Sequence, residues 1–492
     1  MSARTRLVII ASAAAIVATA AGPAGQAPPQ IPPPTQTITM KGKAPVSNAV
    51  LKVSLPKPLE ADLPNGLHVM VIQDPRAPQV TIQLVIRGAG GYYDPPDQYG
   101  LAQFTAANLR EGTARRTSTA IAEQLERLAA TVTVNAAMSS EEATLNASAL
   151  REHFDEVLDL AADVLLSPAF PEQELTRYKA QTRAQLQQQR ANPTFLAFER
   201  FSRAVADGHP DGRMAPAVEA LDKTTRDALA AFHKSHYVPD HAAIAITGDI
   251  TMAAALKAVQ ARFGAWAKAG APEPSVSDPV AVADPGVFLV ARPASVQTSL
   301  VVGVQAIRYT DADFYAMTVL NKIIGGGPTG RLFRHLREEK GYTYGASSQI
   351  DARRFRGTWI ASTNVRSEVT EAALRDLLDE LRQAREIRVP DQEFADAKRS
   401  IVSAFALAFE SPQAPVTNAL TRWRYGLPAD YWDKYPERIM AITQDEVQAM
   451  AKKYLDPKKL QIIAVGDRAA AEAVLLKLGR LQVFDADGRK IQ

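Results

Sequence analysis

Hydrophobic and polar positions change period several times along the chain, and each change predicts an element. Leu67 to Gln73 (LHVMVIQ) and Val80 to Arg87 (VTIQLVIR) are β-rich runs, the first entered through the turn Pro64-Asn65-Gly66. Helical periodicity follows over residues 99–111 and 120–130. Residues 131–135 and 142–148 predict strands, and 151–166 an amphipathic helix. Pro171 opens a long polar helix through about Arg190, and a further helical stretch runs from 194 to 206. A helix over 225–236 and a strand over 242–247 then end at Gly248-Asp249.

A stretch rich in Ala, Pro and Ser follows, from Lys268 to Pro285 (KAGAPEPSVSDPVAVADP), and reads as a linker. Beyond it the order recurs: strands at 287–291 and 298–306, helices at 311–324 and 330–340, strands across 342–362, and helices at 369–386 and 391–409. Residues 225–249 and 443–467 align without a gap at an offset of 218, with identities that include Thr225/Thr443, Pro239/Pro457, Gly248/Gly466 and Asp249/Asp467. Pro171-Glu-Gln-Glu174 matches Pro390-Asp-Gln-Glu393 at an offset of 219. The predicted class is therefore α+β, two homologous α/β halves of roughly 215 residues, each a mixed β-sheet packed by helices. Residues 48–267 form the first half, 268–286 the linker and 287–492 the second half.

Composition refines this picture at three points. The net charge of +3 is thinly spread and contains no Lys/Arg block suited to nucleic acid. The absence of cysteine excludes disulfides, thiolate zinc sites and Cys nucleophiles. The N-terminus reads as a signal peptide over residues 1–21: Arg4 and Arg6, an apolar run from Leu7, then Ala18-Thr19-Ala20 as an A-x-A-like site. The alternative, a single membrane anchor, suits the run less well, because Gly and Pro follow it so soon. Residues 22–47, which include APPQIPPP, read as a Pro-rich tether. No later stretch approaches about 18 uninterrupted apolar residues, so no membrane span is expected after cleavage, and the expected location is secreted, in the periplasm.

Several stretches bring together side chains that could converge on chemistry. On a helix over Gly100–Thr113, positions 103, 106 and 107 share one face, where a zinc hydrolase could place His, Glu and His. Gln103, Ala106 and Ala107 stand there instead. His233, His236 and His241 offer three imidazoles, but Val238-Pro239 interrupts the helix before the third, and packing or solvent roles suit them better. His153 and Glu156 imitate the start of a zinc motif, but Val157 takes the second ligand position. Gly325-Gly-Gly327-Pro-Thr-Gly330 satisfies G-x-G-x-x-G, yet a helix rather than a strand precedes it, which favours a plain turn. Downstream, GRLFRHLREEKGYTYGAS places Arg337 on the last turn of a helix and Tyr344 at the start of a strand. Two such groups can converge on a carbonyl oxygen, one by charge-assisted hydrogen bonds and one by a phenolic proton. A surface Arg and a strand aromatic remain the plainer reading of the spacing.

LPNGLHVMVIQDPRAPQVTIQLVIRGAGGYYDPPDQYGLAQF, VNAAMSSEEATL, Phe170-Pro171, HYVPDHAAIAITGD and GRLFRHLREEKGYTYGASS, taken in order, resemble the landmarks of the pitrilysin/insulinase family of metallopeptidases, the inverzincins. The similarity spans roughly residues 50 to 470 and implies a duplicated, metallopeptidase-like fold. Carried over position by position, the family's His-x-x-Glu-His falls on Gln103, Ala106 and Ala107, and its distal Glu ligand on Ala184. All four are substituted, so the resemblance implies no metal and no other cofactor in this chain. The family's Arg and Tyr fall on Arg337 and Tyr344 with their spacing intact.

Some members of the family are heterodimers in which one chain supplies zinc and the other only Arg and Tyr. The resemblance thus implies a zinc-less subunit of a secreted metalloendopeptidase, inactive alone. A homologous partner with an intact His-x-x-Glu-His motif would hold Zn²⁺, and the substrate would be an extended peptide. A second expectation is an inactive scaffold or peptide-binding member of the family, as in the core subunits of a respiratory complex. A third, an active peptidase built on the His233 cluster, would require zinc in the isolated chain.

Overall fold

The computed structural model describes residues 56–492. Residues 1–21 and 22–47, read from the sequence as a signal peptide and a tether, and the opening of the first half lie outside the described residues. The first sheet contains β1 (Leu59–Asp62), β2 (His68–Gln73), β3 (Gln79–Arg87), β4 (Thr131–Ala136), β5 (Glu142–Leu150) and β6 (Ala242–Gly248), in the order β1-β2-β6-β3-β5-β4. The second contains β7 (Gly286–Ala291), β8 (Gln297–Gln305), β9 (Thr343–Asp351), β10 (Thr358–Arg366), β11 (Gln461–Gly466) and β12 (Leu481–Phe484), in the order β12-β7-β11-β8-β10-β9.

The two sheets share a pairing pattern. β2 runs parallel to β6 and β7 parallel to β11, while the strands beyond them alternate antiparallel to β4 and to β9. The sixth position is filled from opposite ends of the described chain: β1 lies antiparallel to β2, β12 parallel to β7. Every residue of β6 and of β11 is buried, because helices cover both faces of each sheet, and this is why those strands read as unbroken apolar runs. The edge strand β4 alternates exposed and buried, with one face toward solvent.

The helices that shape the site are α1 (Leu101–Asn108), α2 (Glu172–Ala191), α3 (Pro193–Val205), α4 (Phe314–Ile324), α5 (Thr370–Glu386), α6 (Asp391–Ala408) and α7 (Gln413–Tyr425). The halves exchange two of them. Leu196, Ala197 and Phe201 of α3 pack against Val301, Ile463 and Val465 of the second sheet. Reciprocally, Val416, Ala419 and Leu420 of α7 pack against Met70, Val85 and Ala245 of the first. The 219-residue offset makes α3 and α7 equivalent, so each half finishes the outer layer of the other.

The linker has no regular structure between Lys268 and Pro285. Several elements are absent from the sequence reading: β1, β12, α7 and the helices at Val218–Lys223, Met252–Phe263, Tyr431–Ala441 and Arg468–Leu476 were not anticipated, and residues 330–340 form a short α-turn followed by a π-helical turn over Arg334–Glu339, not a plain helix. Among the described residues no helix is long and apolar enough to cross a membrane.

Candidate functional site

The first half places α1 through a turn that needs glycine. Gly100 adopts φ +102°, and a Cβ there would lie 2.9 Å from Pro216 Cβ. Asp94, from the acidic loop, accepts hydrogen bonds from the N–H groups of Gly100 (2.7 Å) and Ala102 (2.8 Å), satisfying donors that the helix start leaves open. Burial pushes the Asp94 carboxyl up to about 6, while those two N–H groups and Arg213 pull the other way.

From this anchor the helix aims its residues in three directions. Gln103 and Ala107 line a cleft of about 390 Å³ together with Val134 and Ala136 of β4 and Tyr178 of α2. Ala106 is 1% exposed and belongs to the core of the first half. Ala184 is exposed on α2 and does not line that cleft. The Tyr178 side chain lies against those of Gln103 and Thr182, and burial raises its phenol while these two polar neighbours oppose the rise. Its ring meets Phe104 edge-on at 5.8 Å. The zinc ion that the family resemblance implies for its active members does not fit these residues: one amide and three methyl groups offer no charge-compensated ligand set. Among the described residues no group of three or more His, Cys, Asp or Glu side chains is placed to hold a metal ion.

The histidines disperse. His233 Nε2 donates to Leu165 O (2.7 Å), His236 Nδ1 to Gly88 O (2.6 Å) and His241 Nε2 to Ala271 O (3.1 Å). Burial holds His233 and His236 below the ordinary imidazole range, opposed by these same backbone contacts. Each ring is tied to a different part of the chain, His233 to the end of the helix Phe154–Leu166 and the other two to loops, so the three imidazoles share no centre. His153 sits near Glu152 and Glu156 at 3.7 and 3.8 Å.

In the second half, the glycine run 325–330 joins α4 to the next helical turn, with no strand before it. Its tightness comes from close backbone approach: Ser348 N donates to Gly325 O at 2.9 Å, and a Cβ on Gly325 would lie 2.5 Å from that nitrogen. The following turn is clamped from two sides. Arg331 makes paired bonds to Glu393 of α6 (2.8 and 2.7 Å), and His335 Nδ1 lies 2.8 Å from Glu380 of α5. Within the clamp, π-helical turns being common at functional positions, Arg337 lies exposed with its guanidinium 4.7 Å from the Phe333 ring centroid. Gly341, at φ +62°, ends the turn. Tyr344 then stands 92% exposed on β9, which among the described residues pairs only with β10, at the edge of the second sheet. A cleft of about 420 Å³ adjoins both residues, bordered by Phe333, Gly345 and the start of α3.

The sequence reading anticipated the Arg337 and Tyr344 positions but not Tyr178, Phe333 or the clamp residues. Phe333 and Arg337 are four apart on a helical turn, a spacing that does signal contact. The proximity of Tyr178 to Gln103 had no local signal, because α1 and α2 meet only through tertiary packing.

Two family models match the chain. One described as Insulinase (Peptidase family M16) covers residues 68–215, and one described as Peptidase M16 inactive domain covers residues 223–401. A protein described as an uncharacterized zinc protease from Rickettsia bellii is 25% identical over 350 residues, which is 71% of this chain and 83% of its own. The probable mitochondrial-processing peptidase subunit beta of Arabidopsis thaliana is 24% identical over 437 residues, 84% of this chain and 79% of its own. The crystal structure of a peptidase M16 inactive domain from Pseudomonas fluorescens superposes with a TM-score of 0.76 at 27% identity, covering 83% of this chain and 98% of that one. The chain therefore belongs to the insulinase-type peptidase family M16, and within it to the non-zinc-binding subunit type.

Proposed function

We propose that this chain is the zinc-less subunit of a secreted heterodimeric metalloendopeptidase. The observation that carries the reading is a contrast between the halves. The α1 face holds Gln103, Ala106 and Ala107, whereas Arg337 and Tyr344 stand exposed beside an edge strand and an adjoining cleft. The match to the inactive-domain model spans both of those residues. The relative from Arabidopsis carries a name that itself denotes one subunit of a processing peptidase.

In this reading a homologous partner with an intact His-x-x-Glu-His motif supplies the metal. An extended peptide pairs along a sheet edge, and its scissile carbonyl oxygen meets Arg337 and Tyr344 across the interface. Arg337 donates charge-assisted N–H bonds and Tyr344 a phenolic O–H. Both strengthen as the oxygen gains negative charge in the tetrahedral intermediate. Secretion rests on Arg4, Arg6 and the apolar run that follows them.

The test is reconstitution with a paralogue that carries the zinc motif. Activity is expected only in the mixture, and Arg337→Ala or Tyr344→Phe is expected to lower turnover by about 10²-fold or more, the usual cost of one oxyanion donor. Wild-type turnover from both variants would remove the role. Peptide binding without hydrolysis in any mixture would favour an inactive peptide-binding subunit instead.

A further inference from the structure

Another cleft lies at the opposite end of the second sheet from Tyr344. β9 ends at Asp351, which pairs with Thr358 of β10, and Thr358 pairs in turn with Gln305 of β8. At the rise of an extended strand this end is roughly 23 Å from Tyr344. The cleft encloses about 380 Å³, within the range of small-ligand sites, and three parts of the chain bound it. They are the end of α3 at Val205, the linker at Ala281 and Val282, and the second half. The Gln305 side chain staples them together. Its Nε2 donates to Val205 O (2.6 Å) and Val280 O (2.7 Å), and its Oε1 accepts from Val282 N (3.0 Å).

The charges around this cleft do not balance. Arg308, Arg356, Lys453 and Lys459 line it, against Asp311 as the one lining carboxylate. Two of the cations are already engaged: Arg308 pairs with Asp278, and Lys453 Nζ lies 2.6 Å from Asp313 Oδ2. Asp311 accepts the backbone N–H of Arg308 at 2.8 Å. Arg356 gives its backbone N–H to Asp278 at 3.0 Å. Among the described residues, however, neither the Arg356 guanidinium nor the Lys459 ammonium makes a hydrogen bond or ion pair. Four cations against Asp278, Asp311 and Asp313 leave one positive charge in excess.

The remaining wall is apolar, from Val205, Ala281, Val282, Val304 and Ala306. A ligand that suits both surfaces carries an oxyanion head on an apolar body. Arg356 offers the planar fork that matches a carboxylate or phosphate, and Lys459 a mobile point charge. A cation would meet the surplus positive charge, and a neutral molecule would gain only from the apolar wall.

We propose that this cleft binds a small organic oxyanion, with Arg356 and Lys459 on its head and the linker over its body. The site is independent of the peptide-binding reading of Arg337 and Tyr344. Because the bound molecule would touch both halves and the linker, its binding would also stabilise their arrangement.

The test is isothermal titration calorimetry on the full chain at constant ionic strength, since screening weakens exposed charges. The probes are benzoate, phenyl phosphate, benzyl alcohol and benzylamine. At least one of the two oxyanions should bind saturably and about tenfold or more tighter than the alcohol and the amine, and the tighter of the two names the head group. It should also raise the melting temperature in step with its concentration. Arg356→Gln and Lys459→Ala should each weaken that oxyanion about tenfold, with the ligand-free melting temperature unchanged because neither side chain has a partner to lose. Ala281→Trp, at an exposed linker position that lines the cleft, should block binding by filling it. Absence of saturable binding by either oxyanion, equal affinity for all four probes, or wild-type affinity in both charge variants overturns the site.

Discussion

Arg424 Nε donates to Glu142 Oε2 at 2.7 Å, tying α7 of the second half to β5 of the first. Alongside, the Arg87 guanidinium lies 4.2 Å from the Trp423 ring centroid. Removing one partner of a largely buried, paired ion contact leaves the other charge without its mate, which costs more than the pair's net worth. Arg424→Ala or Glu142→Ala should each destabilise the chain by roughly 2–3 kcal/mol in urea unfolding, the lower side of the range for such pairs because about a fifth of each side chain is exposed. A change below about 0.5 kcal/mol would show the contact to be only superficial.

The reciprocal seat of α3 is equally open to test. Gly303 of β8 lies under it, and a Cβ there would sit 2.5 Å from the Trp359 carbonyl oxygen and 2.7 Å from Phe201 Cε2. Phe201 is 1% exposed. Phe201→Ala should cost about 3–5 kcal/mol through the cavity it leaves, and Gly303→Ala should destabilise by pushing the helix outward. Limited proteolysis should then cut within α3 before any site in the first sheet. Wild-type melting and cleavage patterns in both variants would show that α3 is not seated this way.

Asp94 supplies a pH prediction whose sign follows from its environment. The ordinary value is 3.8 and burial takes it to about 6, so between those values the folded chain holds a proton that the unfolded chain releases. Stability from this group is present below the ordinary value, falls as pH rises through the window, and stays level above about 6. The full excursion is about 3 kcal/mol for two pKa units. Asp94→Asn does not titrate, so the difference in melting temperature between wild type and variant should decline from pH 4 to 6 and then flatten. A difference that is constant or rises over that range contradicts the assignment.

Gln103 and Tyr178 give a prediction about metal. With one amide at 103 and methyl groups at 106, 107 and 184, the purified chain dialysed against zinc should carry far less than one equivalent by elemental analysis. Tyr178→Phe, which clears the phenol beside Gln103, should bring no gain in zinc. One equivalent of zinc in the wild-type chain would overturn this account of the α1 face.

What the residues announce locally, they announce well. The run Ala242–Gly248 is apolar but for Thr247 and lies buried on both faces; Gly100 and Gly341 sit where positive φ is needed; Pro239 follows the helix that carries His233 and His236 and opens a separate turn at His241. The duplication was legible because equivalent turns keep their Gly and Pro at constant offset. The α7 pattern Val416, Ala419, Leu420 and Trp423 is helical too, but Pro412 and Pro415 beside it imitate a loop.

By itself, then, the sequence determined the two α/β halves, the family, the substitutions on the α1 face and the positions of Arg337 and Tyr344, because each depends on spacing within one element or on residue type. Only the tertiary structure decided that the halves exchange α3 and α7, that Tyr178 and Gln103 line one cleft, and that Glu380 and Glu393 clamp the turn beneath Arg337. Those contacts join residues far apart along the chain. An apolar stripe specifies that a helix must be covered but not which sheet covers it, and a polar side chain does not declare a distant partner.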